Sequence, residues 1–193
     1  MHPYRKLATV FAALTIPMGT VVGLSLTSPA WAATKASGTV SCTGTSATLT
    51  FKPPLTPTGT STEKAKISSL ALTGCTGSSG AVTATKIKAT IKGTSTNSCA
   101  SFATGTASDS VQFNIKWSGG LAPTTVKFGP GTIGVNNTQS GFTASGGVAT
   151  GSFATTNAGF TANIGQGLSQ LTACIGGSGS VSSVQISSGS GTF

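Results

Sequence analysis

Apolar and polar side chains trade places at every second position in several separate runs of this chain. Val111, Phe113, Ile115 and Trp117 alternate with Gln112, Asn114, Lys116 and Ser118. Side chains of an extended strand point to opposite faces in turn, so this run predicts a strand with one buried face, and Trp117 shares the buried parity. Ile87, Ala89 and Ile91 alternate with Lys86, Lys88, Thr90 and Lys92, which predicts a second strand with its lysines toward water. Ala47, Leu49 and Phe51 alternate with threonines and close at Pro53-Pro54; Phe160, Ala162 and Ile164 make a fourth run. Weaker strand candidates cover 40–42, 67–73, 99–103, 125–128, 132–135, 148–153, 171–175 and 181–186. Between Ile67 and Leu70 the apolar phase slips by one position, which points to a bulge or to a misread strand boundary. Beyond the N-terminal stretch no window sustains a 3.6-residue period.

Glycine clusters at 77–80, 119–120, 129–131, 146–147 and 176–179 read as turns between these runs. The spacing predicts an all-β domain, a single sandwich or flattened barrel of roughly eight to eleven mostly antiparallel strands. The expected core takes in Leu49, Phe51, Ile87, Ile91, Val111, Phe113, Ile115, Trp117, Phe128, Phe153, Phe160, Ile164, Leu171 and Ile175. Lys52 to Glu63 carries three prolines and many hydroxyls and reads as a long exposed loop, and Ser187 to Gly191 as a frayed end.

Composition sharpens this reading. Only 7% of the 193 residues are charged, where an ordinary soluble domain has about a quarter. Hydroxyls and 27 glycines replace charge as the source of polarity. That excludes an Ala-, Leu- and Glu-rich helical bundle. Such richness in Ser, Thr and Gly is also a mark of disorder, but the alternating Phe, Ile and Val positions and the cysteines argue for a packed core.

The N-terminus has its own organisation. Arg5 and Lys6 precede a largely apolar stretch from Leu7 to Leu26, and Ala30-Trp31-Ala32 fits the small-x-small cleavage rule. Residues 1–32 are therefore expected to be a signal peptide and 33–193 the secreted all-β domain. The competing reading is an uncleaved anchor, which Pro17, Gly19 and the threonines weaken. No second stretch could cross a membrane as a helix. Removal of 32 residues leaves 161, with no Arg, His, Tyr or Met and with Trp117 as the lone Trp. Nine lysines less Glu63 and Asp109 leave a net charge of +7.

The four cysteines, Cys42, Cys75, Cys99 and Cys174, all follow the leader. An even number in an exported chain predicts two disulfides. Three pairings are possible and spacing does not choose among them. We favour Cys42–Cys75 with Cys99–Cys174, because Cys42 and Cys75 each end a strand candidate before a glycine turn. The separations of 33, 24 and 75 positions speak against a zinc site, which needs close pairs. No metal and no cofactor is expected.

Without histidine, no Ser-His-Asp or Cys-His arrangement can form in the exported part. Glu63 and Asp109 could in principle serve as a glycosidase-like acid and base, which makes a secreted hydrolase one alternative. Their settings, among lysines at Glu63 and before a strand at Asp109, instead suggest solvated or turn-capping roles. Lys64, Lys66, Lys86, Lys88 and Lys92 would form a basic stripe if their strands are neighbours. Such a stripe suits an anionic surface, such as an acidic cell-wall polymer or membrane headgroups. It equally suits edge protection, since lysine on an exposed strand blocks edge-to-edge pairing. Nucleic acid is not expected, because arginine and interleaved aromatics are missing. Asn136-Asn137-Thr138 fits a glycosylation acceptor and marks an exposed turn. The terminal Phe193 faintly resembles the end of an outer-membrane barrel strand, but aromatics at 6% are too few for two girdles.

Gly38-Thr39-Val40-Ser41-Cys42 and Leu72-Thr73-Gly74-Cys75-Thr76-Gly77, set after an Ala-x-Ala leader and among strands rich in Thr and Gly, give the chain a recognisable texture. In this it resembles small uncharacterised secreted β-rich proteins of actinobacteria. The resemblance implies export and a disulfide-bonded β-domain and carries no functional residue over. The expected function is a non-enzymatic secreted or envelope-associated module, structural or binding, with cell-wall polysaccharide or an anionic polymer as partner. The further alternative is a disulfide-clamped inhibitor or effector presenting the Lys52–Glu63 loop.

Overall fold

The structure is a computed structural model that describes residues 32–193 apart from 60–63, 94–96 and 137. The expected signal peptide, save Ala32, and Glu63 lie outside the described residues. Residues Ala33–Phe193 form one compact unit. Its elements are β1 (Val40–Leu55), β2 (Lys64–Gly77), β3 (Gly80–Val82), β4 (Ala84–Lys92), α1 (Cys99–Ala103), β5 (Ser110–Trp117), β6 (Thr124–Phe128), β7 (Ile133–Val135), β8 (Gly141–Gly151), β9 (Thr155–Gln166), α2 (Leu168–Ile175) and β10 (Val181–Thr192).

The ten strands make one antiparallel sheet in the order β3-β2-β1-β10-β9-β8-β6-β5-β4, with β7 on β8. β2 and β4 run side by side without a ladder, so the sheet curls into a nearly closed barrel with a seam between them. The all-β expectation stands. Parity explains the wall. On β5, Val111, Ile115 and Trp117 are buried, while Lys116 between the last two is exposed. On β6, Val126 and Phe128 are buried around exposed Lys127. Outward positions on these strands are lysine, hydroxyl and amide side chains, and Val148 is the one exposed large hydrophobic among the described residues. A lipid-facing barrel carries the opposite arrangement, apolar outside and polar inside.

Two buried clusters fill opposite ends of the barrel. One gathers Val40, Cys42, Cys75, Ile115, Trp117, Phe153 and Phe193. The other gathers Phe51, Leu55, Cys99, Phe102, Phe142, Leu171 and Cys174. Cys42 bonds to Cys75 across the β1–β2 ladder, where the two are directly paired. Cys99 bonds to Cys174, which joins α1 to α2.

Several expectations are corrected. The segments 99–103 and 171–175 are helical, not extended. Each helix is one to two turns long and buries an i,i+3 pair: Cys99 with Phe102, and Leu171 with Cys174. That is too short for a 3.6 period to show in the sequence. Lys52–Leu55 is not loop; β1 continues through both prolines until buried Leu55. Thr60–Glu63 of the expected loop lies outside the described residues. Gly146-Gly147 is not a turn between strands but a register shift within β8, where Gly146 takes a φ of 71°. Ser187–Gly191 is not frayed; it lies in β10 and pairs with β9, partly also with β1. Of the expected core, Leu49, Ile87, Ile91, Phe113, Phe160 and Ile175 are only half-buried. The expected slip in β2 is present: Ser46 pairs Ala71 and Thr48 pairs Ser68, with Ser69 at a φ of 53°.

Candidate functional site

The five lysines singled out from the sequence are exposed, and β2 and β4, which carry them, are neighbours. Lys64 and Lys66 stand on β2, and Lys86, Lys88 and Lys92 on β4. The sheet brings three more beside them. Lys52 on β1 pairs directly with Lys64, and Lys116 on β5 pairs directly with Lys86. Lys127 on β6 pairs with Gln112, which in turn pairs with Thr90 on β4. All three added lysines are exposed. They could not be found without knowing which strands are neighbours, although their outward parity was legible at Lys116.

The face runs across the outer side of β1, β2, β4, β5 and β6. Lysines alternate there with hydrogen-bonding groups. Thr125 donates its hydroxyl hydrogen to Asn114 Oδ1 at 3.0 Å, and Asn114 pairs with Lys88. A shallow groove lined by Thr90, Lys92, Gln112 and Lys127 crosses it. Asp109 is the only acidic side chain among the described residues, and it is buried. Like charges placed directly opposite on a sheet repel and are destabilising. The pairs Lys52/Lys64 and Lys86/Lys116 both carry that cost.

The other candidates fare differently. The expectation of a solvated Asp109 is corrected: it is 7% exposed, beside Gly93, where an added Cβ would collide with its carboxylate. Its proposed partner Glu63 lies outside the described residues, so the pair is seen at one member only. Among the described residues, no group of three or more His, Cys, Asp or Glu could hold a metal. Trp117 is buried, and its Nε1–H donates to Thr124 Oγ1 at 2.8 Å, so its ring faces the core. Asn136 accepts backbone hydrogen bonds from Ser140 and Gly141 that close its turn, and Asn137 of the acceptor motif lies outside the described residues. No helix of the described residues is long and apolar enough to cross a membrane.

Comparison with known proteins yields no matching family model, no matching curated protein and no matching solved structure.

Proposed function

We propose that this is a non-enzymatic, exported domain of the cell envelope that holds an anionic polymer, such as an acidic cell-wall glycan, against its lysine face. One observation carries the reading. Eight of the nine lysines that follow residue 32 lie on adjoining strands, including two like-charged cross-strand pairs, with no acidic side chain exposed among the described residues. Edge protection accounts for lysines on β2 and β4, which flank the seam. It does not account for Lys116 and Lys127, on strands paired on both sides. A polyanion would relieve the repulsion within the face and gain charge-assisted hydrogen bonds from the ammonium groups.

The test is retention on isolated cell-wall material and on poly-γ-glutamate. Retention should fall steeply between about 0.1 M and about 1 M salt, as the screening length shrinks from about 10 to about 3 Å. The variant K64Q/K66Q/K88Q/K92Q should bind about a thousandfold more weakly, at roughly a kilocalorie per lost charge, whereas K35Q should not. Retention that ignores both salt and the fourfold variant refutes the reading.

A further inference from the structure

The sheet is interrupted along one line. Among the described residues, β2 pairs from 64 to 74 on its β1 side alone, because β3 covers only Cys75, Thr76 and Gly77. β4 pairs on its β5 side alone. The two strands leave the β3 hairpin side by side, yet no ladder joins them. A groove of about 470 Å³ runs between them, lined by residues 70–75 on one side and 82–87 on the other. Residues of both parities line it, so it separates two strand edges rather than crossing one face of the sheet. Burial reports the same gap. The inward side chains Ile67, Leu70, Leu72, Ile87, Ala89 and Ile91 are all half-buried, whereas on β6, paired on both sides, Thr124, Val126 and Phe128 are buried. Small cavities of about 50 and about 60 Å³ adjoin the seam from within, with Ile67 in the wall of both.

An unpaired strand edge is a template for another strand. The flanks decide which strand. Lys64 and Lys66 stand outward on β2, Lys86, Lys88 and Lys92 stand outward on β4, and no acidic side chain is exposed among the described residues. The same edge of a second copy would set lysine against lysine, which is repulsive. A strand with carboxylates at its outward positions would meet ammonium groups from both sides, and opposite charges across a ladder attract.

We propose that the seam takes up an extended segment of a partner protein, one in which Asp or Glu alternates with an apolar residue, as an added strand between β2 and β4. Its backbone pairs with the free edge of β2 and, as the seam widens to two strand spacings of about 10 Å, with that of β4. No ladder between β2 and β4 has to break for the seam to widen. The carboxylates lie among the five lysines, and the apolar side chains turn inward against Ile67, Leu72, Ile87 and Ile91. This goes beyond polymer binding, which uses the outer face of the sheet and no backbone edge.

The probe is an acetylated, amidated octapeptide of alternating Glu and Val, added to the full chain with its disulfides oxidised. Calorimetry should show saturable one-to-one binding, and amide exchange should slow in residues 64–74 and 84–92 and stay unchanged in β9. Two control peptides leave the protein untouched, so folding is not in question. The isomer with its glutamates and valines in two blocks carries the same charge and should bind about tenfold more weakly, because it cannot turn one residue type to each face. N-methylation at two alternate residues should weaken binding about thirtyfold, the factor for two lost backbone hydrogen bonds. K64Q/K66Q/K88Q/K92Q should weaken binding of the alternating peptide as well. The inference is overturned by no saturable binding, or by equal affinity for all three peptides, which would mean attraction to the lysine face alone. It is overturned too by protection of both edges that grows with protein concentration in the absence of peptide, which would mean that a second copy fills the seam. The γ-linked backbone of poly-γ-glutamate cannot add as a strand, so it separates the two readings. Polymer retention without peptide binding sinks this inference only, and the reverse result sinks the polymer reading only.

Discussion

The two ends of the barrel hold the same kind of fastening in different settings. At the end built on Val40, Trp117 and Phe153, the bridge Cys42–Cys75 joins residues already paired in a ladder, with strand on both sides. At the end built on Phe51, Phe102 and Leu171, the bridge Cys99–Cys174 joins two short helices that share no ladder. The first bridge reinforces contacts the backbone makes anyway. The second is the covalent tie between α1 and α2, across 75 positions of sequence. A crosslink matters most where little else fixes the geometry.

The largest expected effect tests that difference. Loop-closure entropy assigns about 4.5 kcal/mol to a 75-residue loop and about 3.7 kcal/mol to a 33-residue loop. The variant C99A/C174A should therefore lose more stability in urea unfolding than C42A/C75A. It should also lose amide protection in α1 and α2, whereas C42A/C75A should keep its β1–β2 protection. The reverse order of stabilities, or equal loss of protection at both ends, breaks the comparison.

A smaller effect is expected within the first end. Trp117 Nε1 donates to Thr124 Oγ1, and that hydroxyl donates to the Ser152 carbonyl. Both side chains are buried, and Trp117 packs edge-on against Phe153 at 5.3 Å. Thr124→Val keeps the shape and removes the oxygen. Two buried groups then lose their partner, at a cost of about 2 kcal/mol. Thr124→Ser should restore most of that in the same denaturation measurement. If valine costs nothing, the network is not what orders this end.

The two ends also differ in how far they could be read from sequence. The first is made of strands whose alternation is carried by large residues, so Val111, Ile115 and Trp117 announce their parity. The second depends on helices of five and eight residues, and i,i+3 burial of Cys99 with Phe102 leaves no repeat to detect. Glycine misled where it serves packing rather than turning. Gly189 in β10 sits so close to the Thr161 carbonyl of β9 that a Cβ would collide with it, so a run that looks frayed is tightly paired. The lysine face was legible in part, because Lys86, Lys88 and Lys92 share one strand. Lys52, Lys116 and Lys127 join it only through strand order, which periodicity does not encode. That Phe113 and Phe160 are only half-buried was not legible at all, since it is a property of how ten strands curve.

The smallest effect concerns the cap of α1. Ser98 Oγ accepts from the Ser101 N–H at 3.0 Å, and Ser101 Oγ accepts from the Ser98 N–H at 2.9 Å. This is a capping box with serine where glutamate or glutamine usually stands, so the sequence signature was hidden. The box sets the direction in which Phe102 leaves the backbone, and Phe102 meets Phe51 at 5.9 Å and Phe142 at 6.4 Å, both edge-on. Ser98→Ala should cost about 1 kcal/mol, as for other N-cap losses. In a five-residue helix that loss has few other bonds to share it. It should therefore raise amide exchange in α1 well before the sheet opens, and more so once Cys99–Cys174 is reduced. An effect of the same size in both redox states would mean that cap and bridge act independently, and that the helical end is held by its aromatic contacts instead.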